Sequence, residues 1–339
     1  MHRPDRSAPG RGPGTPGGRS RRHHTGARPI RHLRGTRDGC GRPPAVPSSP
    51  TPIDTGLRTS LAWAALPGQA TGPGPVEEIR TMSDEHLLAE RDGAVLRLTL
   101  NRPEQRNAIS PAVSAGLLTH LRGCRGDATL RAIVISAVGD KAFCAGADLG
   151  TGKAFRFDYA EPRLPMPELF RAARACDVPI VARVNGTCMA GGMGLLAMCD
   201  LAIAADHAVF GLPEVKVGVY PMQVLAVLQH LVPRRALLAL CLTGDPIDAH
   251  EARAIGLVNR VVPKDGLDAA VDALLATLAE RSPTAIRRGR YAHYAIEALS
   301  FEESLMFMEG QIGLLAATED AVEGQLAFRE KRRPRWTGR

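Results

Sequence analysis

No run of 18 apolar residues occurs anywhere in this 339-residue chain, which argues against a membrane-spanning helix and for a soluble protein. No two cysteines stand in CxxC spacing, and none joins a histidine cluster. The seven (Cys40, Cys124, Cys144, Cys176, Cys188, Cys199 and Cys241) are an odd number. That pattern argues against a disulfide framework and against a structural zinc site, so no metal is expected. The thiols read instead as buried side chains in a reducing compartment, the cytoplasm being the first expectation. Lysine is scarce too, since 38 of the 43 basic residues are arginine.

What is present divides unevenly. Residues 1–81 hold 13 arginines, five acids, 13 of the 26 prolines and 13 of the 35 glycines, with little periodic hydrophobicity to drive packing. The whole net charge of +8 resides there, because the remaining residues carry 30 basic and 30 acidic side chains. This extension is expected to be disordered. Three readings compete for it: a basic arm for nucleic acid, a mitochondrial-type targeting segment without a clear amphipathic helix, or an inert stretch upstream of a start at Met82. The last is preferred, with no nucleic-acid partner and no membrane contact expected.

From residue 82 onward, with 44% of the full chain apolar, there is material for a sizeable core. Ala94–Leu100 (AVLRLTL) alternates towards its end like a strand, and Asn101-Arg102-Pro103 breaks it. Pro111–Leu121 has helical spacing. Arg131–Ser136 (RAIVIS), Pro179–Val184 (PIVARV) and Asp200–Ala204 (DLAIA) are short apolar runs suited to buried strands. Leu225–Leu242 predicts helix interrupted at Pro233, Gly256–Val262 a strand, and the chain beyond Asp265 is almost wholly helical to Phe328. The expectation is an α/β body at 82–265 followed by a helical region at 266–339 whose surplus apolar positions suit oligomerisation.

Two glycine-rich stretches stand out. Lys141–Leu149 (KAFCAGADL) follows one buried strand, and Asn185–Gly194 (NGTCMAGGMG) follows another and opens a helix. Small residues let a backbone approach a ligand closely. A helix start offers unpaired N–H groups and a positive dipole end to a developing negative charge. Two such amides could form an oxyanion hole, although either stretch alone would read as an ordinary turn.

Together with LNRPEQRNAIS (100–110), FGLPEVKVG (210–218), LTG (242–244), GLVNRVV (256–262) and EDAVEGQLAFREKRRPRW (319–336), these stretches resemble the crotonase (enoyl-CoA hydratase/isomerase) superfamily in collinear order. The resemblance implies a spiral of ββα units followed by trimer-forming helices, an acyl-CoA thioester substrate, a homotrimer or homohexamer, and no cofactor beyond the coenzyme A of the substrate. It implies that the amides of Ala147 and Gly191 grip the thioester oxygen. It also assigns Arg106, Ala108, Ala145, Gly146, Asp148 and Leu149 to binding of the CoA moiety, with Phe328 and Lys331 near its nucleotide across a subunit boundary.

Hydratases of this superfamily carry two glutamates. Their positions here are Gly194, which lacks an acid, and Glu214. Hydration divides base and acid between two carboxylates, whereas moving a double bond from C3–C4 to C2–C3 needs only one. The resemblance therefore favours a 3-enoyl-CoA isomerase with Glu214 as proton shuttle. Hydration of 2-enoyl-CoA and non-catalytic acyl-CoA binding are the alternatives. Asp158, Glu161 and Glu168, in a proline-interrupted segment, are solvated loop carboxylates on their face and candidates to replace the missing acid.

Overall fold

The computed structural model describes residues 85–148, 160 and 162–339. The N-terminal extension, Leu149, Asp158 and Glu161 lie outside the described residues.

The described chain enters through a hairpin in which β1 (Leu87–Asp92) pairs antiparallel with β2 (Val95–Leu100), from Leu87↔Leu100 to Asp92↔Val95. Helix α1 (Pro111–Gly123) follows, capped by Ser110, whose hydroxyl accepts from the Val113 amide at 3.2 Å. A repeating unit then begins. Each turn lays one strand in a larger sheet, a short strand in a smaller sheet, and a helix outside. The first turn is β3 (Ala132–Ala137), β4 (Ala142–Cys144) and α2 (Pro165–Ala175). The second is β5 (Ile180–Val184), β6 (Thr187–Met189) and α3 (Gly191–Ala197), and the third is β7 (Leu201–Ala205), β8 (Val209–Gly211) and α4 (Met222–Leu228). After α5 (Arg234–Thr243), β9 (Ile247–Asp248) and α6 (Ala249–Ala254), β10 (Arg260–Val262) closes the larger sheet. The larger sheet runs β1-β2-β3-β5-β7-β10, parallel beyond the hairpin, and the smaller runs β4-β6-β8-β9.

The apolar strand runs are explained by burial on both faces. Along β3 all six residues are buried. Ile133 and Ile135 enter the main core, while Ala132 and Val134 enter a second one with Val181, Ile203 and Leu267, Val271 and Leu275 of α7 (Leu267–Ala279). Helix α7 is thus the cover of the parallel sheet, and the helices that stand away from it are α8 (Pro283–Ile296), α9 (Phe301–Ala316) and α10 (Glu319–Glu330).

Two buried polar anchors hold those last helices. Arg290 of α8 donates from Nε to both Asp200 oxygens at 3.0 and 2.9 Å, and its other nitrogens reach the carbonyls of Ala173, Arg174 and Cys176 at the end of α2. Tyr294 completes the cluster, donating its hydroxyl to Asp200 at 2.8 Å. Asp320, at the start of α10, accepts from the amides of Thr337 and Gly338 at 2.8 and 3.1 Å and from the Ser282 hydroxyl at 2.9 Å. Burial by itself would raise the Asp320 carboxyl, but these hydrogen bonds prevail and hold it below its ordinary value. Helix α9, in contrast, buries no residue in the single chain, although a Ser300–Glu303 capping box fixes its start.

Candidate active site

The site is assembled where the loop before α1, the turn after β4 and the turn between β6 and α3 meet. Arg102 and Asn107, in the stretch that breaks β2, build the first part. The Asn107 side chain, buried with its backbone at φ 55°, donates to the carbonyls of Val138 and Ala142 at 3.1 and 2.7 Å and accepts from the Arg102 amide at 2.9 Å. Arg102 in turn donates to the Ala108 carbonyl at 2.9 Å and to Asp148 at 2.8 Å. The two loops are further laced by Ala145 N–H to Arg106 O, Ile109 N–H to Gly146 O and Asp148 N–H to Ile109 O, at 3.0, 2.8 and 3.1 Å. Ile109 thus holds both flanks of Ala147 in an isolated parallel bridge, and the Ala147 amide itself donates to no described residue.

The second amide comes from the β6–α3 turn. Asn185 ties the end of β5 to the Ala137 and Gly139 carbonyls at 3.0 and 2.6 Å, and a Cβ on Gly186 would stand 2.7 Å from the Lys141 carbonyl group. Gly192 is equally obligatory, because its Cβ would lie 2.3 Å from the Cys144 carbonyl oxygen. Ala190 precedes α3 at φ 52°, ψ −122°, a conformation usually left to glycine, and its amide donates to Gly211 O at 3.0 Å. That turn leaves the Gly191 N–H as the first amide of α3, without an acceptor among the described residues. The two amides converge: a Cβ on Gly191 would be 3.4 Å from Ala147 N, and one on Gly146 would be 3.2 Å from Gly191 N. An oxygen acquiring negative charge between them would accept from both.

The carboxylate follows the next short strand. Met189 of β6 pairs with Gly211 of β8, and three residues later Glu214 opens a 3₁₀ turn at Pro213–Val217. Its Oε2 is buried with no hydrogen-bond partner, and burial raises its pKa above the ordinary carboxylate value. Nearby, burial foremost and then the negative charge of Glu214 push the Cys241 thiol up. At Gly194, the position of a second acid in a two-glutamate site, the space is filled by neighbours: a Cβ there would meet Phe170 Cζ at 2.9 Å and Val224 Cγ2 at 3.3 Å.

Of the residues expected from sequence, Ala147, Gly191 and Gly146 lie against one another, Arg106, Ala108, Ala145 and Asp148 belong to the two loops laced by hydrogen bonds, and Glu214 follows β8, whose Gly211 pairs with β6. Phe328 and Lys331 lie at the far end of α10, where Phe328 is 85% exposed and Lys331 ends the helix at φ 54°. Glu168 stands on α2 rather than in a loop, and Arg122, Arg171 and Arg163 surround it at 3.0, 2.6 and 3.8 Å. A carboxylate so occupied by guanidinium groups is a poor proton shuttle. Sequence reasoning missed Arg102, Asn107 and Asn185. All three lie inside quoted motifs, yet only their hydrogen bonds reveal that they hold the two loops in place.

The alternating ββα spiral is that of the crotonase fold, and the family match makes the chain an enzyme of acyl-CoA thioesters. The chain belongs to the enoyl-CoA hydratase/isomerase family, whose model matches residues 90–339. It is 35% identical over 246 residues to the mevalonyl-coenzyme A hydratase of Aspergillus fumigatus, covering 71% of this chain and 91% of that protein. It is 32% identical over 283 residues to enoyl-CoA hydratase domain-containing protein 3, mitochondrial, of Rattus norvegicus, covering 81% and 92%. The crystal structure of an enoyl-CoA hydratase from Mycobacterium smegmatis superposes with a TM-score of 0.71 at 34% identity, covering 74% of this chain and 98% of that one. Relatives named as mitochondrial and relatives from bacteria both occur. No helix among the described residues is long and apolar enough to cross a membrane.

Proposed function

We propose that the enzyme isomerises 3-enoyl-CoA to 2-enoyl-CoA with Glu214 as the single proton carrier. The observation that carries this reading is the lone carboxylate. Gly194 offers no second acid, and among the described residues Glu214 has the one buried carboxylate oxygen without a hydrogen-bond partner. In the reaction the thioester oxygen sits between the Ala147 and Gly191 amides. Glu214 removes a proton from C2, and the C–H electron pair becomes the C1–C2 double bond as the carbonyl pair moves onto oxygen. The dienolate collapses when the carbonyl re-forms, the C1–C2 pair shifts to C2–C3, and the C3–C4 pair takes the proton back from Glu214 at C4. The two amides stabilise the charged oxygen throughout, a donor of this kind being worth about 10²–10³ in rate. Burial raises the basicity of this carboxylate, which favours taking the proton from C2.

The remaining roles belong to the same proposal. Arg106, Ala108, Ala145, Gly146, Asp148 and Leu149 bind the CoA moiety. No metal or redox group is required, and the working form is a trimer or hexamer in which Phe328 and Lys331 face a neighbour's nucleotide. The exposed Phe301, Met306, Ile312, Leu314, Val322 and Phe328 on α9 and α10 support such a form.

A second reading, hydration of 2-enoyl-CoA through Glu214, is favoured by the relatives, which are named as hydratases. Separate incubations with 2-enoyl-CoA and 3-enoyl-CoA distinguish the two. Isomerisation leaves the mass unchanged and moves the retention time, whereas hydration adds the mass of water. A product carrying that mass as the main outcome from either substrate would replace the first reading by the second.

A further inference from the structure

The space beside Gly194 is apolar as well as occupied. Phe170 Cζ and Cε1 lie 2.9 and 3.3 Å from where a Gly194 Cβ would stand, with Val224 Cγ2 also at 3.3 Å. One turn earlier on α2, the Met166 methyl lies 3.3 Å from the Cβ position of Gly191, and Ile109 Cδ1 lies at 3.4 Å. Met166 and Phe170 are four residues apart on one helix and so share a face. That face follows α3 from the Gly191 amide to Gly194. The Phe170, Met166, Val224 and Ile109 side chains present carbon or sulfur there, the Ala147 amide at 3.4 Å from the Gly191 Cβ position is the one polar group among these nearest atoms, and a held water needs two to four polar partners. Phe170 is itself buried, so its ring has little room to swing aside.

We propose that Phe170, backed by Met166, is a specificity-determining wall that keeps water from the acyl carbons next to the oxyanion hole. It thereby commits the dienolate to internal return of its proton. The proposal rests on the single-base reading of Glu214 and extends it. The proton taken from C2 stays on Glu214 until C4 receives it, and no hydroxyl reaches C3. Unsaturated thioester is therefore released, and its hydration falls to another enzyme.

The test uses 3-hexenoyl-CoA dideuterated at C2, turned over by the full-length protein in ordinary water, with deuterium at C4 of the product read by mass spectrometry and NMR. In the wild type most product molecules are expected to carry the label at C4. Label lost to solvent from most molecules would overturn the wall while leaving Glu214 as the base. A wild type that produces no isomer would overturn the single-base reading, and the wall with it. In Phe170→Ala and the milder Phe170→Leu, retention per product molecule should fall. Hydration relative to isomerisation should rise about tenfold or more in Phe170→Ala, a change of about 1.4 kcal/mol in relative barriers. Retention is counted per product, so a slower or less stable variant still reports on water access. Unchanged retention and unchanged product ratio in both variants would overturn the proposal even if the wild type keeps its label.

Discussion

Single residues set both the chemistry and its cost. Glu214→Gln keeps the side-chain shape but removes the base, so turnover is expected to fall by about 10²–10⁴, with acyl-CoA binding retained in equilibrium titration. Burial raises the folded-state pKa of Glu214 above its ordinary 4.5, and two pH effects of opposite sign follow. Activity should rise with pH through the raised value as the carboxylate ionises. Stability should fall over the same window, because the folded state binds the proton more tightly than the unfolded chain. Glu214→Gln is therefore expected to melt higher than the wild type at neutral pH, and an equal or lower melting temperature would contradict the cost of burial. Ala190 carries a second local cost, at φ 52°. Ala190→Gly removes strain of about 1–3 kcal/mol against a smaller loss of about 0.4–1 kcal/mol from the looser unfolded chain. A net gain of about 1 kcal/mol in urea unfolding is expected. Sequence pointed to Glu214, Ala147 and Gly191 only through the family resemblance of the short stretches that hold them. It hid Phe170, which reaches Gly194 from a helix 24 positions earlier, and it hid the backbone angle at Ala190, where the side chain gives no sign of a turn.

At the level of elements, legibility followed burial. Strands β3, β5 and β7 were readable because both faces are covered and the apolar run is nearly continuous. Strand β1 was not, since only Leu87 of its six residues is buried and the second half of the strand, Glu90-Arg91-Asp92, is charged. Strands β4, β6 and β8 span three residues each, too few for a period to show. The joint between α8 and the spiral was also invisible, because it depends on one arginine reaching Asp200 from 90 residues away. Arg290→Leu leaves the half-buried Asp200 with Tyr294 and the Ile180 amide but without its cation, and removes three carbonyl contacts. Breaking a buried pair from one side costs about 3–5 kcal/mol, so urea denaturation should show a loss of that order. A change below about 1 kcal/mol would mean that solvent already reaches the pair.

For the whole molecule, the exposed apolar face of α9 and α10 carries the expectation of self-association. Sedimentation at micromolar concentration should show a trimer or hexamer, and Phe301→Glu with Ile312→Glu should shift it towards monomer. A wild-type chain that sediments as a monomer would also detach Phe328 and Lys331 from their proposed role at a neighbour's nucleotide. Residues 1–81 precede the family match at residue 90. A chain begun at Met82 is expected to keep the same sedimentation and turnover, and loss of most activity would give the extension a function.

The interlock of Phe170 with Gly194 also restricts how this site can change over generations. An acid entering at position 194 would stand with its first carbon 2.9 Å from the ring, so the buried ring has to shift to admit it. Reduction of the ring has to come earlier, and by itself it opens a cavity costing about 3–5 kcal/mol if cut to alanine. Each step alone is disadvantageous, so passage between one-acid and two-acid chemistry runs through a valley unless stability is in reserve or a medium-sized residue at position 170 bridges it. Descendants of such a chain should therefore vary at positions 170 and 194 together.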